Sequence, residues 1–357
     1  MTLDDHSYPS LPSELIDAVV DELIVDKDIP SLQKFALSHR SVVPKIQKFL
    51  FSDIELGMLQ THAVNEGQLP LAPAQKLYDA FQATPHLAEY VDTLALVIVN
   101  PSASADDNGE SVARILPLLQ NVRSLSIESR CSGRVLPDAV AKALALPSVT
   151  ELRTSWVQLW LSLPSAFPSL RSLFCDNTEW IAILGFPNTI RMLQLCQETL
   201  QHLEACPPSR CPVIAALRYN LALHTRLRCL VIHRMVFYSP AFWMWLLETL
   251  SSVQYLHTLC IDFLVLNLTE SDINKIVDSD KPMWNQLDEV LGSSHGRFEQ
   301  VDICIRPQSG KLHGCAEARK LLGTLLTCTN ESSSLSINID EEATSPDLDY
   351  DPKFTME

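Results

Sequence analysis

The chain has 357 residues, of which 46% are hydrophobic and 20% are charged. This composition is typical of a packed globular protein and excludes a largely disordered one. One hydrophobic core rarely extends beyond about 300 residues, so we expect one large domain with an appendage, or a repeat array.

The net charge of −16 is concentrated at the two ends of the chain. Residues 1–30 hold eight acidic residues and one lysine, and residues 340–357 hold seven acidic residues and one lysine, so the ends carry −13 of the total. The remainder is nearly neutral and has no basic stripe, so we do not expect nucleic acid as a partner. The acidity also disfavours binding to anionic membranes.

The N-terminal residues lack the basic and apolar regions of a signal peptide. The most apolar runs, residues 94–99 and 263–266, are far shorter than the ~18 to 20 residues that cross a bilayer. Ten cysteines in such a chain are expected to be reduced and mostly buried. These features predict a cytoplasmic or nuclear protein that is not in a membrane.

Three short helical patterns and a strand-like segment occupy residues 10–56. The first follows Pro12 and has apolar residues at helical spacing, the second begins near Leu32 and runs to Arg40, and the third contains Ile46 and Phe49. Three such helices bury little core by themselves. The segment is therefore expected to pack against the body of the protein, a partner, or both.

This segment resembles the F-box, a helical module by which adaptors dock on a Skp-type linker of cullin-RING ubiquitin ligases. The resemblance lies in Leu11-Pro12-Ser13-Glu14-Leu15-Ile16, in Leu32 followed by Phe35-Ala36-Leu37-Ser38-His39-Arg40, and in the closing residues 49–54. It looks most like the F-box-like proteins numerous in mushroom-forming fungi. Val42 stands where the family usually has tryptophan.

The resemblance implies a set of apolar residues that form the docking surface and small core of this unit. They are Leu11, Pro12, Leu15, Ile16, Val20, Leu23, Leu32, Phe35 and Leu37. The sequence does not separate those inside the unit from those that face a linker. The alternative for the segment is a helical cap on a repeat array, which terminal repeats require.

From residue 87 onward an apolar triplet at i, i+3 and i+5 recurs, and its last part has the period of a strand. The central residues of the copies are Leu94, Leu125, Leu152 (a partial copy), Leu173, Leu193, Leu230, Leu259 and Val301, at intervals of 31, 27, 21, 20, 37, 29 and 42. Leu335-Ile337-Ile339 is a further candidate copy. Helical patterns alternate with these triplets over residues 74–81, 112–119, 240–250 and 318–325.

We therefore predict an α/β fold in which a three-helix F-box-like unit precedes an irregular leucine-rich-repeat-like solenoid of alternating strands and helices. The expected segments are a flexible N-terminus (1–9), the F-box-like unit (10–56), the repeat-like domain (57–340) and an acidic disordered tail (341–357). The competing fold is an ordinary α/β sandwich. In a solenoid, residues interleaved with the triplets would form an open strand face; examples are Arg123, Ser124, Ser126, Arg228 and Cys229.

No standard catalytic or metal-binding motif occurs in the sequence. Gly310-Lys311 lacks the rest of a phosphate loop, and Cys206 with Cys211, like His257 with Cys260, is expected to serve packing rather than ligation. We expect no cofactor, no metal and no catalytic residue. The predicted function is a non-enzymatic substrate-recognition adaptor that joins a Skp-type linker to a protein client. The alternatives are a repeat-like interaction scaffold with no ligase role and, third, an enzyme whose site is dispersed through the fold.

Overall fold

A computed structural model describes most of the chain. The described residues are 12–57, 74–98, 106–129, 134–136, 138–155, 157–158, 167–176, 193–194, 196–205, 221–236, 240–265, 270–293, 298–307, 311–332 and 334–341. The protein is α/β, and its chain forms two compact units. The first comprises Met1–Ser126 and Pro137–Val149, and the second comprises Ile127–Leu136 and Thr150–Glu357.

The first unit begins with three helices and a strand, as the apolar spacing predicts. They are α1 (Ser13–Val25), α2 (Ile29–Ser38), α3 (Val43–Ser52) and β1 (Asp53–Gly57), with a 3-10 turn at Arg40–Val42 before α3. Pro12 precedes α1, and the Asp28 carboxylate accepts a hydrogen bond from the Ser31 backbone N–H (3.2 Å) at the start of α2. The three helices share a core of Val20, Leu32, Val42 and Ile46.

The rest of the first unit alternates helix and strand. Its elements are α4 (Ala74–Ala83), α5 (His86–Glu89), β2 (Thr93–Ile98), α6 (Asp106–Ile115), β3 (Ser124–Ser129) and α7 (Asp138–Ala143). The strand order is β1-β2-β3, and β1 pairs with β2 in parallel. Helices α4, α6 and α7 pack side by side, and β3 is divided between the two units.

The second unit begins with short strands and continues, from residue 229 onward, with strands and helices in alternation. Its elements are β4 (Arg134–Val135), β5 (Glu151–Ser155), β6 (Val157–Gln158), β7 (Ser172–Asp176), β8 (His202–Ala205), β9 (Cys229–Val236), α8 (Pro240–Ser252), β10 (Thr258–Val265), β11 (Glu270–Asp272), α9 (Ile273–Ser279), α10 (Lys281–Gly292), β12 (Gln300–Pro307), β13 (Lys311–His313), α11 (Cys315–Leu325), α12 (Thr327–Ser332) and β14 (Ser334–Ile339). The main strands lie in the order β5-β7-β8-β9-β10-β12-β14, so each pairs with the next main strand along the chain. All of these pairings are parallel.

The triplet residues of the second unit form its buried face. Leu259, Ile261 and Phe263 of β10 have no exposed surface. The Phe263 ring stacks on Trp243 of α8 at 5.4 Å, and Trp284 of α10 meets Trp243 edge-on at 4.9 Å. Helices therefore cover the triplet face of β10, and Trp243 belongs to the core.

One predicted triplet is wrong. Leu193 and Gln194 are helical, while Ile190 and Leu195 lie outside the described residues. The strand is β8 instead, with Leu203 buried within it and Leu200 buried just before it. A spacing of three residues fits one face of a helix as well as the repeat, so a short apolar run does not distinguish them.

The correction makes the spacing of the strands more regular. Leu173 to Leu203 spans 30 residues and Leu203 to Leu230 spans 27, in place of the predicted 20 and 37. The long interval between Leu259 and Val301 contains β11, α9 and α10, so larger helical connections explain its length. Within the described residues, no helix combines the length and apolarity that crossing a membrane requires.

Candidate partner-binding surfaces

Helix α1 of the first unit leaves three large apolar side chains exposed, which are Leu15, Val19 and, at its last residue, Val25. Leu15 is 54% exposed and Val19 is 46% exposed, one helical turn apart on the same stripe. Val20, the next residue, is fully buried in the three-helix core. We call Leu15 and Val19 the α1 stripe.

The structure divides the nine predicted docking residues into three groups. Val20 and Leu32 lie in the core, and Ile16, Leu23 and Phe35 are half-buried against it. Pro12, Leu15 and Leu37 are exposed, Leu37 by 89%. Leu11 lies outside the described residues.

Val19 is not among the predicted docking residues. The sequence does not separate the buried and exposed edges of this wide apolar stripe, since residues 15 and 19 repeat at i, i+4 just as 16 and 20 do. Only the packing of α2 and α3 decides which edge is covered.

Acidic residues surround the α1 stripe. Glu14, Asp17, Asp21 and Glu22 are all exposed on α1. Lys45 of α3 forms an ion pair with Asp21 at 2.7 Å, and its Nζ donates to the Asp17 carbonyl oxygen at 3.4 Å. An exposed ion pair of this kind contributes little stability. Its main effect is that Lys45 offsets part of the negative charge beside the α1 stripe.

The second candidate surface is the strand face of the second unit that alternates with the triplets. We call it the open strand face. Because the parallel strands stay in register, its side chains form rows across the sheet, and the middle row is Arg153, Phe174, Glu204, Val231, Cys260, Asp302 and Ser336. Most of these residues are half-buried.

A chain of ionic contacts runs across the open strand face from β8 to β12. His233 Nε2 lies 3.1 Å from Glu204 Oε1, and His233 Nδ1 lies 3.8 Å from Asp262 Oδ2. Arg306 donates two hydrogen bonds to Asp262, from Nε at 3.0 Å and from Nη2 at 2.7 Å. Asp262 is only 6% exposed, so this bidentate pair compensates a carboxylate that burial would otherwise penalise.

A β-bulge helps to place His233 between its two carboxylates. Ile232 pairs with Ile261 and Met235 with Phe263, so two residues of β9 stand opposite Asp262 alone. Burial lowers the pKa of His233, but its close contacts with the Asp262 and Glu204 carboxylates and the charges of both outweigh burial and raise that pKa to about 9. The ring is therefore an imidazolium at neutral pH.

At β5 and β7 the open strand face presents stacked planar groups. The Arg153 guanidinium lies 4.2 Å from the centroid of the Phe174 ring, and Phe174 packs against the His202 ring at 5.0 Å. This stack abuts the ionic chain, since His202 Nε2 is 3.5 Å from Glu204 Oε2.

The thiols of this face are not poised for chemistry. Burial raises the pKa of Cys229 and of Cys260 to about 12, and that of Cys304 to about 11. They are neutral at physiological pH and so poor nucleophiles. Among the described residues, no group of three or more His, Cys, Asp or Glu side chains is placed to hold a metal ion.

The residues that the sequence predicts on an open face of the strands come from both units and differ in exposure. Arg123 is exposed and Ser124 and Ser126 are half-buried, as an open face requires. Arg228 is exposed, but Cys229 is buried because His202 and Thr258 flank it on the neighbouring strands. Cys206 and Cys211 lie outside the described residues.

The ionic chain itself was not predicted. A charged residue within an otherwise apolar alternation, such as Asp262 or Arg306, is the sequence signal that could indicate such a chain.

Neither a family model nor a curated protein sequence matches this chain.

Proposed function

We propose that this protein is a non-enzymatic adaptor whose N-terminal helices are an F-box-like module and whose strand and helix body is leucine-rich-repeat-like. The module would dock on a Skp-type linker of a cullin-RING ubiquitin ligase, and the body would hold a protein client. The mechanism is proximity, because an adaptor raises the effective concentration of the client near the ligase without itself making or breaking bonds. Its site of action would be the cytoplasm or nucleus.

The observation that carries the proposal is the α1 stripe. Leu15 and Val19 remain about half exposed although the opposite side of α1 is buried in the three-helix core. Exposed large apolar residues that repeat along a helix are a feature of partner surfaces. Val25, at the end of α1, and Leu37, at the end of α2, are further exposed apolar side chains in this part of the chain.

The replacement of the usual family tryptophan is compatible with the proposal. Val42 is 3% exposed and packs with Val20, Leu32 and Ile46. A smaller apolar residue therefore fills this position in the core of the helices.

The body supports the client role through its strand order and its open strand face. Because consecutive strands are parallel and in register, side chains at equivalent positions form continuous rows across the sheet. Repeat arrays present such rows on their binding faces. Half-buried aromatic, acidic and basic groups lie together on that face, a mixture that gives a protein interface its specificity.

The proposal is tested by co-purifying the full-length chain with a Skp-type linker of the same organism. Leu15→Asp and Val19→Asp each place a charge in the α1 stripe, and each is expected to reduce linker binding at least tenfold while leaving the fold intact, since both residues are exposed. Ile16→Asp and Leu23→Asp are less suitable, because those residues pack on the helical core.

Met244→Asp is the matched control, since Met244 is also a large apolar residue on a helix surface, 71% exposed, but lies in the second unit. It is expected to bind the linker as wild type does. Failure of the folded wild-type chain to bind would reject the ligase role and favour an interaction scaffold. Equal binding by all variants would show that the α1 stripe is not the docking surface.

A further inference from the structure

The carboxylates of the open strand face are not equally neutralised. Glu204 is paired with His233, and Asp262 with Arg306. Asp340 lies 4.0 Å from Arg306 Nε. Asp302 differs. Its carboxylate accepts a hydrogen bond from Gln300 Nε2 at 2.6 Å, but it forms no ion pair with a cation among the described residues.

The surroundings of Asp302 are more apolar than those of an ordinary surface carboxylate. In the sheet register it stands between Cys260 of β10 and Ser336 of β14, and Cys304 is the next residue of β12 on the same face. Burial raises the pKa of Asp302, although the Gln300 hydrogen bond opposes this. Both neighbouring thiols are neutral.

Arg306, the nearest basic residue on the same strand, is already paired with another carboxylate. Arg306 follows Asp302 at i+4 on β12, and Asp262 holds its guanidinium in a bidentate pair. Moving Arg306 to Asp302 would leave the buried carboxylate of Asp262 without this partner, at a cost larger than the gain at a half-exposed site. A cation from outside the chain meets no such cost.

We infer that Asp302 anchors a basic side chain, lysine or arginine, of a partner segment that lies across the open strand face. The alkyl part of that side chain would rest on Val231 and the thiols of Cys260 and Cys304, and its charged end would reach the Asp302 carboxylate. This inference rests on the proposed client role of that face and specifies the chemistry of the client.

A labelled peptide of five Gly-Lys repeats is a suitable probe, because in an extended chain all of its lysines project to one side. Binding to the full-length protein is measured by fluorescence anisotropy at low ionic strength, beside peptides of five Gly-Gln and five Gly-Glu repeats. The lysine peptide is expected to bind at least tenfold more tightly than the glutamine peptide, and Asp302→Asn is expected to remove most of that difference. A tenfold change corresponds to the loss of about one charge-assisted hydrogen bond.

Glu317→Gln is the matched control, since it removes the same charge from an exposed position on α11. If Glu317→Gln weakens the lysine peptide as much as Asp302→Asn does, the binding reflects net charge and the inference is overturned. Equal binding of the lysine and glutamine peptides to the wild-type protein also overturns it. Linker binding, measured on the same preparations, is expected to be unaffected by Asp302→Asn, so failure of the ligase role and failure of this inference are separately visible.

Discussion

At the scale of single residues, two helical glycines have opposite surroundings. A Cβ atom on Gly292, at the end of α10, would lie 2.5 Å from the Cβ of Cys328 in α12, whereas a Cβ on Gly323 in α11 would meet no atom within 4 Å. Gly292 therefore permits α10 and α12 to approach closely, and Gly323 has no comparable packing role.

We expect Gly323→Ala to stabilise the protein by about 0.5 to 1 kcal/mol, because alanine loses less backbone entropy in a helix. Gly292→Ala is expected to destabilise it by about 1 to 3 kcal/mol, since the overlap involves a Cβ atom that cannot rotate away. Urea unfolding of both variants checks the pair. A stabilised Gly292→Ala would show that the two helices separate without cost.

Individual residues also show where prediction from sequence stops. The helical spacing of Leu15, Ile16, Val19 and Val20 fixes the helix and its apolar stripe, and the helix is confirmed. It does not decide that Val20 is buried and Leu15 exposed, because that depends on where α2 and α3 cross α1. The exposed apolar surface is therefore a tertiary property.

At the scale of elements, strands β8, β9 and β10 enclose His233 between two carboxylates. The pKa of this histidine is raised from 6.5 to about 9 in the folded protein. A folded-state pKa above the unfolded one stabilises the protein most below about pH 6.5, and the contribution is lost as the pH rises to about 9. Its size is about 3 kcal/mol for a shift of this order.

We expect His233→Gln to flatten the pH dependence of the free energy of unfolding between pH 6.5 and 9. Denaturant unfolding of wild type and variant at several pH values measures this. His86→Gln, at an exposed histidine of α5, is the control and is expected to follow wild type. Parallel curves for His233→Gln and wild type would mean that the ring is neutral in the folded state.

Elements were predictable where a strand has two or more triplet residues and a distinct helical pattern follows, as at Leu230 with the pattern over residues 240–250. The prediction failed at Leu193, whose apolar neighbours fit a helix equally well. The contact of His233 with Asp262 could not be predicted, because it depends on a β-bulge and on pairing between residues 29 apart in the chain.

At the scale of the whole molecule, the two proposed surfaces lie in different compact units. The α1 stripe belongs to the first unit and Asp302 to the second. If each surface binds its own partner, Leu15→Asp is expected to abolish linker binding and leave binding of the Gly-Lys peptide unchanged, and Asp302→Asn is expected to do the reverse. Both bindings are measured on each variant. Loss of both in either variant would indicate global unfolding or a single shared surface.

The order of the strands has a consequence for how the chain acquires its structure during synthesis. In the second unit each main strand pairs with the one made just before it, as Leu230 of β9 does with Leu203 of β8, only 27 residues earlier. Since folding in such an array propagates between neighbours, a strand that leaves the ribosome meets a partner that has already emerged. The sheet of the second unit can therefore form one strand at a time from its N-terminal side. At each stage only the most recently added strand leaves an edge unpaired, until the next strand is synthesised.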